Sequence, residues 1–230
     1  MTVHKDMIWY YLVHRSFVYM ADPNGIVSVA KQIAERQSEW CDGESGDKTY
    51  QVKKSDSIKM HINLYLARMT SHFFPKKSKT NLLVLDSENL GTSMMFDIFG
   101  YSNSVVPNYY QNNSHFELMR ERMPSVMSLP LALEDYVDIW ADSNSDEYES
   151  AIRDAIPEKY YDTFQGFSVG PRPAQFDVAY LDYCGPFTED RKDTVETLIE
   201  TQEDKPCIVA VTGAARGQTG SIDEQINDLN

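Results

Sequence analysis

The chain has 230 residues, 42% hydrophobic and 24% charged, and a formal net charge of −14 from 21 Lys+Arg against 35 Asp+Glu. That length supports one substantial domain, the composition excludes disordered, collagen-like and coiled-coil chains, and the acidity disfavours a protein that coats nucleic acid. Cys41, Cys184 and Cys207 form neither a disulfide framework nor a paired zinc motif. His4, Lys5, Asp6, His14 and Arg15 interrupt the first 25 residues, and no apolar run reaches the roughly 18 residues of a membrane span. Together these features predict an intracellular protein, cytoplasmic or nuclear, without a signal peptide and without membrane contact.

In chain order, Met7 to Met20 (MIWYYLVHRSFVYM) has apolar positions at both helical and alternating spacings and is read as a helix. Asp22 to Gly25 form a turn, a second helix runs from Ile26 to about Trp40, a polar loop covers Cys41 to Lys48, and TYQVKK is a short strand candidate. A third helix follows, capped by Ser55 or Ser57, with Ile58, Ile62, Tyr65, Leu66 and Met69 as its apolar face, and it ends before Pro75. After the basic linker KKSKT, the run Asn81 to Leu85 shows no alternation, as expected of a strand covered on both faces, and it ends in Asp86. Thr92 or Ser93 can cap the next helix, which carries Met94, Met95, Phe96, Ile98 and Phe99 and closes at Gly100.

The pattern then repeats. A strand over Ser104 to Pro107 ends at Asn108, a helix covers about His115 to Arg122, and a strand over Ser125 to Ser128 leads into the helix LALEDYVDIW. Residues 142 to 172 are polar and acidic, with a helix from Glu147 to Ile156. A strand from Phe176 to Leu181 ends at Asp182, a helix spans Glu189 to Glu203, and a fifth strand covers Cys207 to Val211. Alternating strands and helices predict an α/β protein with a Rossmann-like, doubly wound, mostly parallel sheet and an N-terminal helical elaboration, whose ligands lie at the carboxyl ends of the strands.

Chemistry is therefore expected just past each strand. Asp86, beside a loop containing Gly91 and a helix start at Thr92, can accept hydrogen bonds from a ligand's amino group or sugar, or act as a plain cap. No GxxxxGK[ST] or GxGxxG sequence occurs, which argues against a phosphate-cradling hydrolase and weakens a nicotinamide or flavin assignment. There is no GxSxG elbow, and the five histidines are too scattered to form a metal-ligand pair, so no metal is expected.

The order of elements from about Asn81 to Gly213 resembles a class I S-adenosylmethionine-dependent methyltransferase, through VLDSENLGTS after the first strand, VVPNYY after the second and LDYCGPF after the fourth. The resemblance implies S-adenosylmethionine as cofactor, held by Asp86, Glu88, Gly91, Thr92 and Asn108. Asn108 stands where the family has an acidic ribose ligand. By the same resemblance, Asp182, Tyr183 and Phe187 lie near the acceptor, with Asp182 orienting or deprotonating a nucleophile and Tyr183 or Phe187 stacking on a base, as in amino-directed nucleic-acid methyltransferases. Cys184 precedes Gly185 and Pro186, unlike the thiol of base-carbon methyltransferases, and is read as structural.

The domains expected are an N-terminal helical elaboration at 1–80, with a basic segment at 51–80, and a methyltransferase-like core at 81–230. The basic segment has Lys53, Lys54, Lys59, Arg68, Lys76, Lys77 and Lys79 against Asp56 alone, with Tyr50, Tyr65, Phe73 and Phe74 interleaved, and is a candidate RNA- or DNA-binding surface through Lys53, Lys54, Lys76 and Lys77. Solvated helix faces are the alternative. The family's antiparallel strand pair after the fifth strand is missing, which predicts a sheet edge open to a protein partner. Two functions are expected: a methyltransferase acting on nucleic acid, or a catalytically inactive relative serving as a binding or assembly module.

Overall fold

A computed structural model describes residue 32 and residues 54–86, 90–108, 113–164, 166, 168–183, 187–202 and 205–212. The expected helices before residue 41 and the TYQVKK strand lie outside the described residues, apart from residue 32 and the backbone of Lys54. Five strands, β1 (Leu82–Val84), β2 (Ser104–Pro107), β3 (Met127–Leu129), β4 (Val178–Asp182) and β5 (Ile208–Thr212), form one all-parallel sheet in the order β3-β2-β1-β4-β5. This is the α/β Rossmann-like architecture that the alternating pattern predicts. Strand order reverses between β1 and β4, the topological switch point of such sheets.

The helices are α1 (Lys54–Phe73), α2 (Gly91–Ile98), α3 (Asn113–Arg122), α4 (Leu133–Asp142), α5 (Tyr148–Ala155), α6 (Tyr161–Phe164) and α7 (Glu189–Thr201), with 3-10 turns at Lys77–Lys79 and Glu158–Tyr160. They cover both faces of the sheet, α1 packing on α2 and α4 on α7. Every residue of β1 and β2 is buried, as expected of continuous apolar runs, whereas β5 is only partly covered beyond Ile208. Among the described residues no strand pairs with the outer side of β5.

Several boundaries differ from the expectation. The third strand begins at Met127 rather than Ser125, because Val126 closes a turn onto the carbonyl of Met123. The fourth begins at Val178 and includes Asp182, because its ladder with β5 continues to Thr212. Neither Thr92 nor Ser93 caps α2. Its N-cap is Leu90, buried and in the left-handed region at φ 51°, while the carboxylate of Asp86 accepts from the N–H of Ser93 at 2.8 Å. The other end does close at Gly100, at φ 87°, in a Schellman arrangement: the N–H of Gly100 donates to Asp97 O and that of Tyr101 to Phe96 O, with the Phe96 and Tyr101 rings in edge contact.

The buried face of α1 is rotated from the one predicted. Asn63, Leu66, Ala67 and Thr70 are buried, whereas Ile62, Tyr65 and Met69 are half-buried. Small and hydrogen-bonded residues at the centre allow close approach: Asn63 Nδ2 donates to Thr92 Oγ1 at 3.0 Å, and Thr70 Oγ1 donates to the carbonyl of Leu66 at 2.8 Å. Leu64, Leu66 and Ala67 belong to the same hydrophobic core as the strands, so α1 is part of the core and does not stand apart from residues 81 onward.

The opposite face is aromatic. Trp140, Tyr136, Tyr148 and Phe176 pack together, and the hydroxyls of Tyr136 and Tyr148 share a hydrogen bond of 3.0 Å. Burial pushes the Tyr148 phenol up to about 12, so the folded state favours its neutral form. Stability from this group is complete below the unfolded value near 10 and is lost as pH rises towards 12. Urea denaturation between pH 9 and 11 is expected to show falling stability, with a shallower fall in Tyr148→Phe.

Candidate functional site at the carboxyl rim

Strand register brings the polar residues that follow each strand to one level. Leu82 pairs with Ser104, Val84 pairs with Tyr180 and Asp182 pairs with Thr212. The ladder between β1 and β4 continues past Val84, since the N–H of Leu85 donates to Tyr180 O at 3.0 Å. Carried to the rim, the register sets Asn108, Asp86, Asp182 and Thr212 side by side across β2, β1, β4 and β5, with neighbouring strands about 4.8 Å apart. Asp86 and Asp182 flank the switch point.

Hydrogen bonds tie the row together on either side of that point. Asn108 Nδ2 donates to the carbonyl of Asp86 at 2.5 Å, and Thr212 Oγ1 donates to Asp182 Oδ1. Side chains alternate along a strand, so Asp182 faces the same side as Tyr180, the side covered by α1. There Ile62, Leu66, Met69, Tyr180 and Thr212 line a small cleft of about 30 Å³. Burial pushes the Tyr180 phenol strongly up, Asp182 and, more weakly, Asp86 add to the shift, and a side-chain hydrogen bond with Thr212 opposes it.

The residues expected at the cofactor divide into three groups. Asp86 and Asn108 stand at the rim. Gly91 opens α2, and a Cβ built on it would meet nothing within 4 Å, so the helix start borders open space. Thr92 is buried with its hydroxyl facing Asn63, a packing contact between α1 and α2. Glu88 lies outside the described residues, as does Cys184.

The expected acceptor-side residues also part. Asp182 is in the rim row. Tyr183 is buried, with the Arg191 guanidinium 4.4 Å from its ring centroid and Phe187 6.1 Å away in edge contact. Burial pushes its phenol strongly up, Glu134 adding and Arg191 opposing. A buried ring faced by a guanidinium cannot serve as a stacking platform, so of the two aromatics only the half-buried Phe187 keeps an accessible surface.

Lys76 and Lys77 lie far along the chain's fold from the backbone of Lys54. Tyr101 Oη, just before β2, donates to Phe74 O at 3.0 Å, which sets the end of α1 at the amino edge of the sheet, while Asn63 meets α2 at the carboxyl edge. Helix α1 therefore runs antiparallel to β1. Its 20 residues span about 30 Å, separating Lys54 from Lys76 and Lys77 by roughly that distance. Lys76 and Lys77 are exposed at the amino edge, away from the rim, and Lys77 Nζ lies 5.7 Å from the Tyr101 ring centroid. Lys53 is outside the described residues.

Sequence reasoning missed Asn63, Tyr180 and Thr212, and read Ser93 only as a possible cap. The available signal was parity: Tyr180 lies two residues before Asp182 on the same face of one strand. Among the described residues no cluster of three His, Cys, Asp or Glu side chains could hold a metal, and no helix is long and apolar enough to cross a membrane. Comparison with protein-family models, with curated proteins and with solved structures returned no match.

Asp86 is expected to support the fold as well as the site. Asp86→Ala removes the acceptor of the Ser93 N–H and should cost about 1 kcal/mol in chemical denaturation, whereas Asp86→Asn, which keeps an acceptor oxygen, should cost less.

Proposed function

We propose that this chain is a class I methyltransferase-like protein that binds S-adenosylmethionine in the crevice between the carboxyl ends of β1 and β4 and acts on nucleic acid. The observation that carries the proposal is the registered row Asn108, Asp86, Asp182, Thr212 across the switch point. The row fits such a ligand by its chemistry. Carboxylates accept from hydroxyl and amino groups and favour a positive charge, and the open space beside Gly91 admits a polar group at the helix start.

Bound there, S-adenosylmethionine would supply an electrophilic methyl group. Asp86 and Asn108 are the proposed cofactor residues, with Gly91 leaving room. Thr92 contributes by fixing α2 against α1. Asp182 is proposed to orient the acceptor, with Phe187 the aromatic beside it, and rate enhancement would come mainly from alignment. Calorimetric titration should show S-adenosylmethionine binding that Asp86→Asn weakens about tenfold, with a smaller loss for S-adenosylhomocysteine, which lacks the sulfonium charge. Absence of wild-type binding at millimolar cofactor overturns the proposal.

A catalytically inactive binding module is the second proposal, and one observation favours it: Lys76 and Lys77 are exposed at the edge opposite the crevice. If they bind RNA or DNA, Lys76→Glu with Lys77→Glu should weaken binding of a short oligonucleotide and reduce the slope of log affinity against log salt by about 2. The same double substitution should leave cofactor titration unchanged. The uncovered side of β5 is the place proposed for a protein partner.

A further inference from the structure

Pairing between β1 and β2 stops short of the rim. Asn103 O accepts from the Leu82 N–H at 2.9 Å, so the main-chain groups of residues 103, 105 and 107 face β1. Pro107 has no N–H to donate in that direction, and the main-chain N–H of Asn108 turns the other way, to Leu129 O of β3 at 2.9 Å. The registered pairs are Leu82 with Ser104 and Leu83 with Val105. Beyond them Asn108 Nδ2 donates to the Asp86 carbonyl at 2.5 Å, so a side chain joins the two strands at the level of the crevice. A carbonyl oxygen only accepts, so the NH2 group of the amide must be the one that faces it. Asp86 is held at its other end too, where its carboxylate accepts from the Ser93 N–H at 2.8 Å.

We infer that Asn108 is a positioning residue of the crevice: it takes over the joining of β2 to β1 that Pro107 interrupts, and by fixing the Asp86 main chain it holds the Asp86 carboxylate where it caps α2 and meets the ligand. The inference rests on the proposed adenosyl-binding function and deepens it. The role requires a neutral donor. A carboxylate at position 108 could not donate to the Asp86 carbonyl and would bring a second negative charge beside Asp86; only after protonation would it regain an O–H for that bond. Asn108 thus acts through Asp86, and the crevice depends on its amide nitrogen.

The test compares Asn108→Asp with wild type and takes Asn103→Ala as control, because Asn103 Nδ2 makes a bond of the same kind to Ser78 O at 2.9 Å just before β2. Without ligand, the Ser93 amide should exchange its hydrogen about tenfold faster in Asn108→Asp than in wild type at pH 7.5, and the ratio should fall towards one at pH 4.5 as the new carboxyl protonates. In calorimetric titration with S-adenosylmethionine, Asn108→Asp should bind about tenfold more weakly than wild type at pH 7.5, with the same recovery at pH 4.5. Asn108→Ala, which lacks the donor at every pH, should keep both defects at pH 4.5, and Asn103→Ala should match wild type in both measurements. A residue that served only as a ligand acceptor gives the opposite sign, since a carboxylate attracts the sulfonium and accepts from hydroxyls more strongly. Affinity in Asn108→Asp equal to or above wild type at pH 7.5, or an unaltered Ser93 exchange rate, therefore overturns the inference and leaves the adenosyl proposal standing. Wild-type protein that binds no S-adenosylmethionine overturns both.

Discussion

The burial of β1 on both faces is the constraint on which the rest of the structure depends. Leu82, Leu83 and Val84 are fully buried, each such side chain contributing roughly 1.5–3 kcal/mol of apolar burial. Parallel pairing with β2 on one side and β4 on the other fixes their register, and a slip of one residue would turn every side chain to the opposite face. Asp86, two residues beyond Val84, therefore comes to the rim level with Asn108 and Asp182. The polar row follows from hydrophobic burial below it.

The connection from β1 into α2 joins that row to the helix layer. Leu90 holds a left-handed conformation that costs a non-glycine residue on the order of 1 kcal/mol, offset by complete burial of its side chain. In place of a side chain at the N-cap itself, Asp86 reaches forward from the strand to the third residue of the helix. One carboxylate thus ends the strand, caps the helix and borders the crevice, which links the stability of α2 to the chemistry of the rim.

Helix α1 completes the arrangement from the side. Its tight packing on α2 through Asn63 and Thr92, and its position over β4 and β5, enclose Tyr180 beside Thr212 and Asp182. Because α1 runs against the strands, the backbone at Lys54 and the exposed Lys76 and Lys77 lie towards opposite edges of the sheet. The exposed cations at 76, 77 and 79 therefore lie at the amino edge, away from the carboxylates of the rim.

The sequence by itself determined the parallel sheet, because strands covered on both faces must be apolar without alternation: Leu82 to Val84, Val105 to Val106 and Val178 to Leu181 are legible as such. It also marked Asp86, Asn108 and Asp182, since residues just past such strands reach the ligand edge of this class of sheet. Helix termination at Gly100 was readable because a positive φ favours glycine. Tertiary structure alone decided the rest, since it depends on contacts far apart in the chain. The capping of α2 by Asp86, the enclosure of Tyr183 by Arg191 and the separation of Lys54 from Lys76 are of this kind. So is the hydrogen bond between Asn63 and Thr92; local pattern carries no information about which buried polar atoms meet, because helix direction and strand register set their distances.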